Sequence, residues 1–293
     1  MTTKSGIRVA AAPISWGVCE VPGWGRMLEP ERVLGEMAEL GVRATELGPP
    51  GYLPAEPGSL RALLAGHGLT LVGGFLAVPL HLDPEAALRA ADESAAQLAA
   101  GGGEVLVLAA ATGLDGYDTR PALTPAQWRT LVHTAERIAA AAADRGLRTV
   151  LHPHVGTQVE TEAEVERFLA DSAMALCLDT GHLLIGGTDP VGLARRHPGR
   201  IGHVHLKDVH GDLAHDVRTG RIGYAAAVGR GLYAPLGEGD VDLESMVGFL
   251  RGAGYQGWYV LEQDTALGAA SRDDRPREHT RRSLDWLSGL MNQ

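Results

Sequence analysis

Apolar and polar positions along the chain follow two rhythms. Short runs are almost continuously apolar and β-branched, and longer runs between them repeat apolar residues at the helical period. The strand-type runs are 7–15, 44–47, 69–78, 104–111, 148–152, 175–179, 201–209 and 258–262. Helix-type runs occupy 29–41, 58–68, 83–102, 124–146, 161–172, 189–200, 242–254 and 276–291. The run at 124–146 opens on Thr-Pro and closes at Gly146, which suits the start and stop of a helix.

Strands that are apolar on both faces belong to parallel sheets covered by helices. Eight strand–helix pairs in one chain predict an α/β fold, a closed (β/α)8 TIM barrel rather than a doubly wound sheet. No composition break divides residues 1–293, so a single barrel domain is expected. One connection stands out, a Gly-rich loop over 210–241 after strand seven. In a barrel it would lie on the C-terminal face, where long loops carry function.

Composition narrows the partners. The chain has 293 residues, 45% hydrophobic, enough for a large core. Lys+Arg 26 against Asp+Glu 36 leaves a net charge of −10, with no long basic run, so no nucleic acid is expected as partner. The first residues lack the pattern of a signal peptide and no apolar run is long enough to span a bilayer. A cytoplasmic protein with no membrane partner is expected; the oligomeric state stays open, a homo-oligomer included. Cys19 and Cys177 form no Cys-x-x-Cys pair and read as reduced core thiols. "GGTDP" at 186–190 reads as a turn and helix cap, with an anion site at a helix start as the rarer alternative.

Polar residues gather where the later strands end. Strand five ends in His152, strand six in Asp179 with His182 shortly after, and strand eight in Glu262. Strand seven carries His203, His205 and Lys207 on one face by its period of two. A lone strand-end Asp is usually a helix cap, and a lone His usually a satisfied polar group. Barrel closure, however, brings these ends together. Two carboxylates side by side repel and resist burial unless a cation joins them. The set His152, Asp179, His205 and Glu262 therefore predicts a divalent metal. Two imidazoles and two carboxylates suit Mn or Co, with Zn and Fe open; Mg, which prefers oxygen alone, is also left open. Neither cysteine is expected beside the set.

"HPHVGTQVET", "CLDTGHLL", "HVHLKDV", "LGEGDVDLE" and "GWYVLEQD" together resemble the xylose isomerase-like TIM barrels. Within that family they are most similar to the inosose dehydratase branch. Many members present Glu, Asp, His and Glu from strands five to eight to a divalent metal. In the dehydratase branch an H-x-H-x-G-T stretch replaces the fifth-strand Glu, and 152–157 has that form. "APISWG" and "ATELGPPGYLP" resemble the branch's first two strands. The chain departs from the branch in "WGVCEVPGWG", where Asn and Asp usually follow the Trp, and in a shorter acidic stretch at "LEQDT". Both places would face the substrate.

The resemblance implies a metal-dependent lyase that removes water from a polyhydroxy cyclitol ketone, such as 2-keto-myo-inositol, through an enediolate. His154 and His182 are then candidates for substrate contact or proton transfer. Lys207 would stabilise an oxyanion or pair with Asp208, which is itself a candidate for substrate contact. His203, deeper in its strand, reads as a hydrogen-bonding residue of the barrel interior. Glu46 would reach substrate hydroxyls or cap a helix, and Trp16 and Trp24 would wall a ring's C–H face or pack in the core. The alternative is a sugar isomerase or epimerase of the same superfamily. Those enzymes usually use a strand-five Glu as one of two acid/base carboxylates, and His152 counts against them. An endonuclease would need a basic face, and a non-enzymatic barrel would leave a costly polar cluster unused.

Overall fold

A computed structural model describes residues 7–19, 21, 24–268, 271, 272 and 274–291. Eight parallel strands close into a barrel: β1 (Arg8–Ala11), β2 (Ala44–Glu46), β3 (Thr70–Val78), β4 (Val105–Ala110), β5 (Arg148–Leu151), β6 (Ala175–Asp179), β7 (Ile201–Leu206) and β8 (Trp258–Leu261). Each strand pairs with its neighbours in sequence, and β1 closes the ring on β8, Arg8 opposite Trp258 through Ala11 opposite Leu261. The (β/α)8 expectation is met.

Helix starts follow the local chemistry. Thr124 and Thr161 each form a capping box, with Gln127 and Glu164 returning the hydrogen bond. Leu131, Ala135, Ile138 and Ala142 of Pro125–Ala143 turn one face to the strands and are buried. The turn at 186–190 serves as a cap, because the Asp189 carboxylate accepts from the Val191 amide at the start of Pro190–Arg196. Among the described residues no helix is long and apolar enough to cross a membrane.

Three expected boundaries are corrected. The first strand stops at Ala11, because Pro13 has no amide hydrogen for a ladder, and Pro13–Trp16 forms a 3-10 turn. Strand seven ends at Leu206 rather than 209. The expected loop over 210–241 is largely folded: it contains helices Gly211–Arg218 and Tyr224–Gly229, and its Tyr233–Ala234 pairs antiparallel with Asp208–Val209.

Candidate metal centre and substrate cavity

The ends of β5 to β8 place the polar set. In the register of β6 and β7, Asp179 stands opposite His205, and His205 stands opposite Val260 of β8. Asp179 Oδ2 lies 3.2 Å from His152 Nε2, 3.5 Å from His205 Nδ1 and 3.4 Å from Lys207 Nζ. Glu262 Oε2 lies 3.2 Å from His205 Nδ1 and 3.0 Å from Lys207 Nζ. Asp179 also acts as the helix cap that a strand-end Asp usually is. Its Oδ1 accepts the His182 amide at 2.8 Å, starting helix Thr180–Gly186, while Oδ2 faces the cluster.

Glu46 at the end of β2 orients the imidazoles from behind. Its Oε1 accepts from His203 Nε2 at 2.8 Å and lies 3.3 Å from His205 Nε2. Burial works to raise the Glu46 carboxyl, but the His205 and His203 rings hold it well below the usual carboxylate range. With Nε2 committed to Glu46, His205 turns Nδ1 toward Asp179 and Glu262, and that buried nitrogen has no hydrogen-bond partner. An imidazole nitrogen facing two carboxylates is one of the donor groups suited to a divalent ion, and a carboxylate behind a ligating ring is a common support for such a ligand. Charge is concentrated here: Glu46, Asp179, Glu262 and Asp264 are buried together with the Lys207 ammonium and with His205, whose pKa burial lowers but Cys177, Glu262 and Glu46 hold well above its usual value.

The donor atoms fall into three groups, each small enough to hold an ion: Asp179 with His205 and Glu262, Glu46 with His203 and His205, and His152 with Cys177 and His205. The last corrects the expectation that no thiol stands beside the set. Cys177 stands two residues before Asp179 in β6, so the period of two turns it to the same face. Burial pushes its thiol up to about 11, so it remains protonated.

The two histidines of 152–154 separate. His152 meets Asp179, whereas His154 gives its Nδ1–H to the Val155 carbonyl at 2.7 Å and packs on His182 with the rings tilted by 34° and centroids 3.7 Å apart. His182 is buried behind His154 and accepts from the Lys207 ammonium at 3.1 Å.

Sequence reasoning missed three residues. Asp264 takes a hydrogen bond from Lys207 at 2.6 Å and another from the Tyr224 hydroxyl at 2.7 Å; Tyr224 and Tyr233 share a third at 2.8 Å. Asp264 lies two residues past Glu262, a spacing that signals a shared face. The tyrosines come from the folded insertion, whose Gly-rich sequence carries no period to place them.

Two expected substrate contacts lie elsewhere. Trp16 is fully buried and donates Nε1–H to Glu36 at 2.8 Å, so it packs the core. Asp208 neither lines the cavity nor pairs with Lys207. Once β7 ends, its carboxylate turns to the insertion and accepts the amides of Val209, Gly237, Gly239 and Val241 at 2.8–3.1 Å. A Cβ at Gly239 would sit 2.3 Å from Asp208 Oδ1, which explains the glycine. Asp208→Ala is expected to cost about 2–4 kcal/mol, since several charge-assisted bonds are lost together. Hydrogen exchange at Gly237, Gly239 and Val241 checks this: unchanged protection would contradict it.

Sequence comparison adds to this geometry. The profile of the xylose isomerase-like TIM barrels matches residues 34–290. The chain belongs to the xylose isomerase-like TIM barrel family. It is 36% identical to an inosose dehydratase of Geobacillus kaustophilus (strain HTA426), over 99% of this chain and 96% of that one. It is 35% identical to the rhizopine catabolism protein MocC of Rhizobium meliloti, over 88% of this chain and 82% of that one. Among solved structures it resembles the probable 3-DHS dehydratase AsbF of Bacillus anthracis at a TM-score of 0.71. At 17% identity, over 96% of this chain and 99% of that one, this likeness speaks for the fold alone. The full-length match to inosose dehydratases makes this xylose isomerase-like barrel an enzyme, a carbon–oxygen lyase of the dehydratase kind.

As in any such barrel, the site opens at the C-terminal ends of the strands. The cavity there holds about 220 Å³ and is lined by Glu46, His152, His154, His205, Lys207, Glu262 and Asp264 on its polar side. Trp24, the other tryptophan expected at a wall, does line it. Glu20, part of the departing first-loop stretch, lies outside the described residues.

Proposed function

We propose that the protein is a metal-dependent dehydratase of a polyhydroxy cyclitol ketone, of the type of 2-keto-myo-inositol. The observation that carries this reading is His152 beside Asp179, where a sugar isomerase or epimerase needs a second acid/base carboxylate. The kinship with inosose dehydratases supports the same outcome.

His152, Asp179, His205 and Glu262 are the residues that would hold the ion, with Glu46 fixing the His205 ring from behind. Mn or Co fits this nitrogen and oxygen mixture best. When bound, such an ion supplies Lewis-acid polarisation of the ketone, which acidifies the adjacent C–H.

The chain's own groups perform the proton work. His154, with its pKa pushed down to about 3 by burial first and by His152 and Lys207 next, is neutral at pH 7. Its Nδ1–H is committed to Val155, which leaves Nε2 as the proton acceptor. Nε2 takes the proton α to the carbonyl, and the electron pair forms an enediolate. The same proton then passes to the departing β-hydroxyl, which leaves as water, and His154 returns to its neutral form. Lys207 stays cationic: burial works against its charge, but Asp179, Asp264 and Glu262 hold the ammonium pKa well above its ordinary value. It faces the cavity as a fixed donor for the developing oxyanion.

Incubation with 2-keto-myo-inositol and Mn²⁺ or Co²⁺ should give the absorbance of the cyclic 1,2-dione and its enol tautomer. No dione, together with conversion of a ketohexose to its epimer, would replace dehydration by epimerisation. Asp264 and Tyr224 are read as positioning residues for Lys207. Tyr224→Phe should therefore lower kcat about tenfold while moving KM less. An unchanged kcat would remove Tyr224 from that role.

A further inference from the structure

The proton acceptor and the oxyanion donor stand on separate segments. His154 follows β5, whereas Lys207 follows β7 and is held, through Asp264, by the Tyr224 hydroxyl of the insertion. One dipeptide reaches both, Tyr117–Asp118 in the loop after β4. The Tyr117 ring lies 27° from the plane of His154 with centroids 5.9 Å apart, and it meets the Tyr224 ring edge-on at 4.9 Å. Asp118 Oδ1 accepts the Tyr224 amide at 2.8 Å.

The Asp118 contact answers a local need. Tyr224 opens the six-residue helix Tyr224–Gly229, and the first amides of a helix have no partner within it. The residue in the capping position is Gly223, which has no side chain to offer. Asp118 supplies the acceptor from another loop. Two glycines leave room for the dipeptide: a Cβ at Gly223 would sit 2.6 Å from Asp118 Oδ2, and a Cβ at Gly156, in the segment after β5, 2.7 Å from Tyr117 Cα. A helix this short has little stability of its own, so its first side chain is aimed by its anchors. That side chain is fully buried; its hydroxyl donates to Asp264 Oδ2 at 2.7 Å, and Asp264 Oδ1 accepts from Lys207 at 2.6 Å.

We propose that Asp118, an exposed residue outside the cavity lining, is a positioning residue for the dehydration. It acts on Lys207 through the Tyr224 amide, the Tyr224 hydroxyl and Asp264. With Tyr117 beside it, it sets the oxyanion donor against His154. This inference rests on the dehydratase reading and extends that site to the loop after β4.

Asp118→Ala in the metal-loaded enzyme should lower kcat for 2-keto-myo-inositol about three- to tenfold and move KM by less than about twofold, because a misplaced donor costs turnover more than binding. Asp118→Asn, whose side-chain oxygen still accepts the amide, should bring kcat back to within about twofold of native. The double variant of Asp118→Ala with Tyr224→Phe separates positioning from mere support of the fold. Both changes act through one hydroxyl, so the pair should be no slower than Tyr224→Phe alone, whereas independent effects would multiply. A native kcat in Asp118→Ala, no recovery in Asp118→Asn, or multiplied losses in the double variant overturns the inference and leaves the dehydratase reading standing. If Asp118→Ala does not fold, Gly223→Ala, which presses on the Asp118 carboxylate, takes its place in the same cycle. If the native enzyme removes no water from the ketone, the dehydratase reading fails, and the Lys207 ammonium decides the inference separately. Lys207 and Lys4 are the two lysines of the chain, so ¹⁵N-lysine labelling of the metal-free protein gives two side-chain signals, and Lys207→Met identifies one of them. A shift of the Lys207 signal in Asp118→Ala, in the same direction as in Tyr224→Phe, supports the inference, and an unmoved signal overturns it.

Discussion

Asp179→Asn is expected to leave the barrel folded and to abolish both metal binding and turnover. Asparagine caps a helix as well as aspartate does, so the Oδ1 bond to the His182 amide persists and helix Thr180–Gly186 keeps its start. The lost charge falls on the other oxygen, Oδ2, which faces His152, His205 and Lys207. Losing Lewis-acid stabilisation worth about 4 kcal/mol corresponds to a fall of about 10³-fold in kcat. Metal analysis of the purified variant beside the native protein, with circular dichroism as control, measures both parts. Asp179→Ala should show the same loss and an added destabilisation of about 1 kcal/mol from the missing cap. Equal metal content in native and variant proteins would remove Asp179 from the centre.

Lys207→Met should produce the largest change in stability. The ammonium lies within 3.4 Å of Asp179, Glu262 and Asp264, and all four residues are buried. Removing the cation leaves Asp179, Glu262 and Asp264 answered only in part by His205, which contacts the first two and whose charged form the neighbouring acids favour, and breaking a buried pair in this way costs about 3–5 kcal/mol. Urea unfolding in a chelator should show that loss. Adding Mn²⁺ should recover part of it, because a divalent ion answers the same charges. Turnover should stay low even when metal is present, since the oxyanion donor is gone. A variant as stable as the native protein in chelator would mean that the carboxylates are not jointly charged.

The barrel and the ends of its later strands were legible for one reason: both depend on local rhythm. Period two places His203, His205 and Lys207 on a face, and barrel closure then gathers His152, Asp179 and Glu262 whatever their distance in sequence. Relations across the barrel were not legible. Glu46 reads as a substrate contact or a cap until β2 and β7 are seen to face each other, with His203 and His205 on the same oxygen. Trp16 and Trp24 look alike in the chain, but the 3-10 turn sends the first into the core and leaves the second at the cavity. Cys177 is the buried core thiol that its sequence suggests, and its place beside His152 and His205 follows from the period of two that it shares with Asp179. Tyr224 and Tyr233 sit in an insertion held by Asp208, and nothing periodic marks where such a segment turns its side chains.

Closure of the ring on β1 and β8 has a bearing on how the protein is made. The pairing joins 8–11 to 258–261, so the last seam waits until almost the whole chain has been synthesised. Pairings of such long sequence separation form slowly. Until then Glu262 and Asp264, which flank that seam, are absent from the cluster, and Asp179, His205 and Lys207 face an open edge. Between the emergence of Lys207 and that of Glu262 the nascent chain thus carries an unfinished ionic centre, and the last strand completes the wall of the barrel and the charge balance in one step.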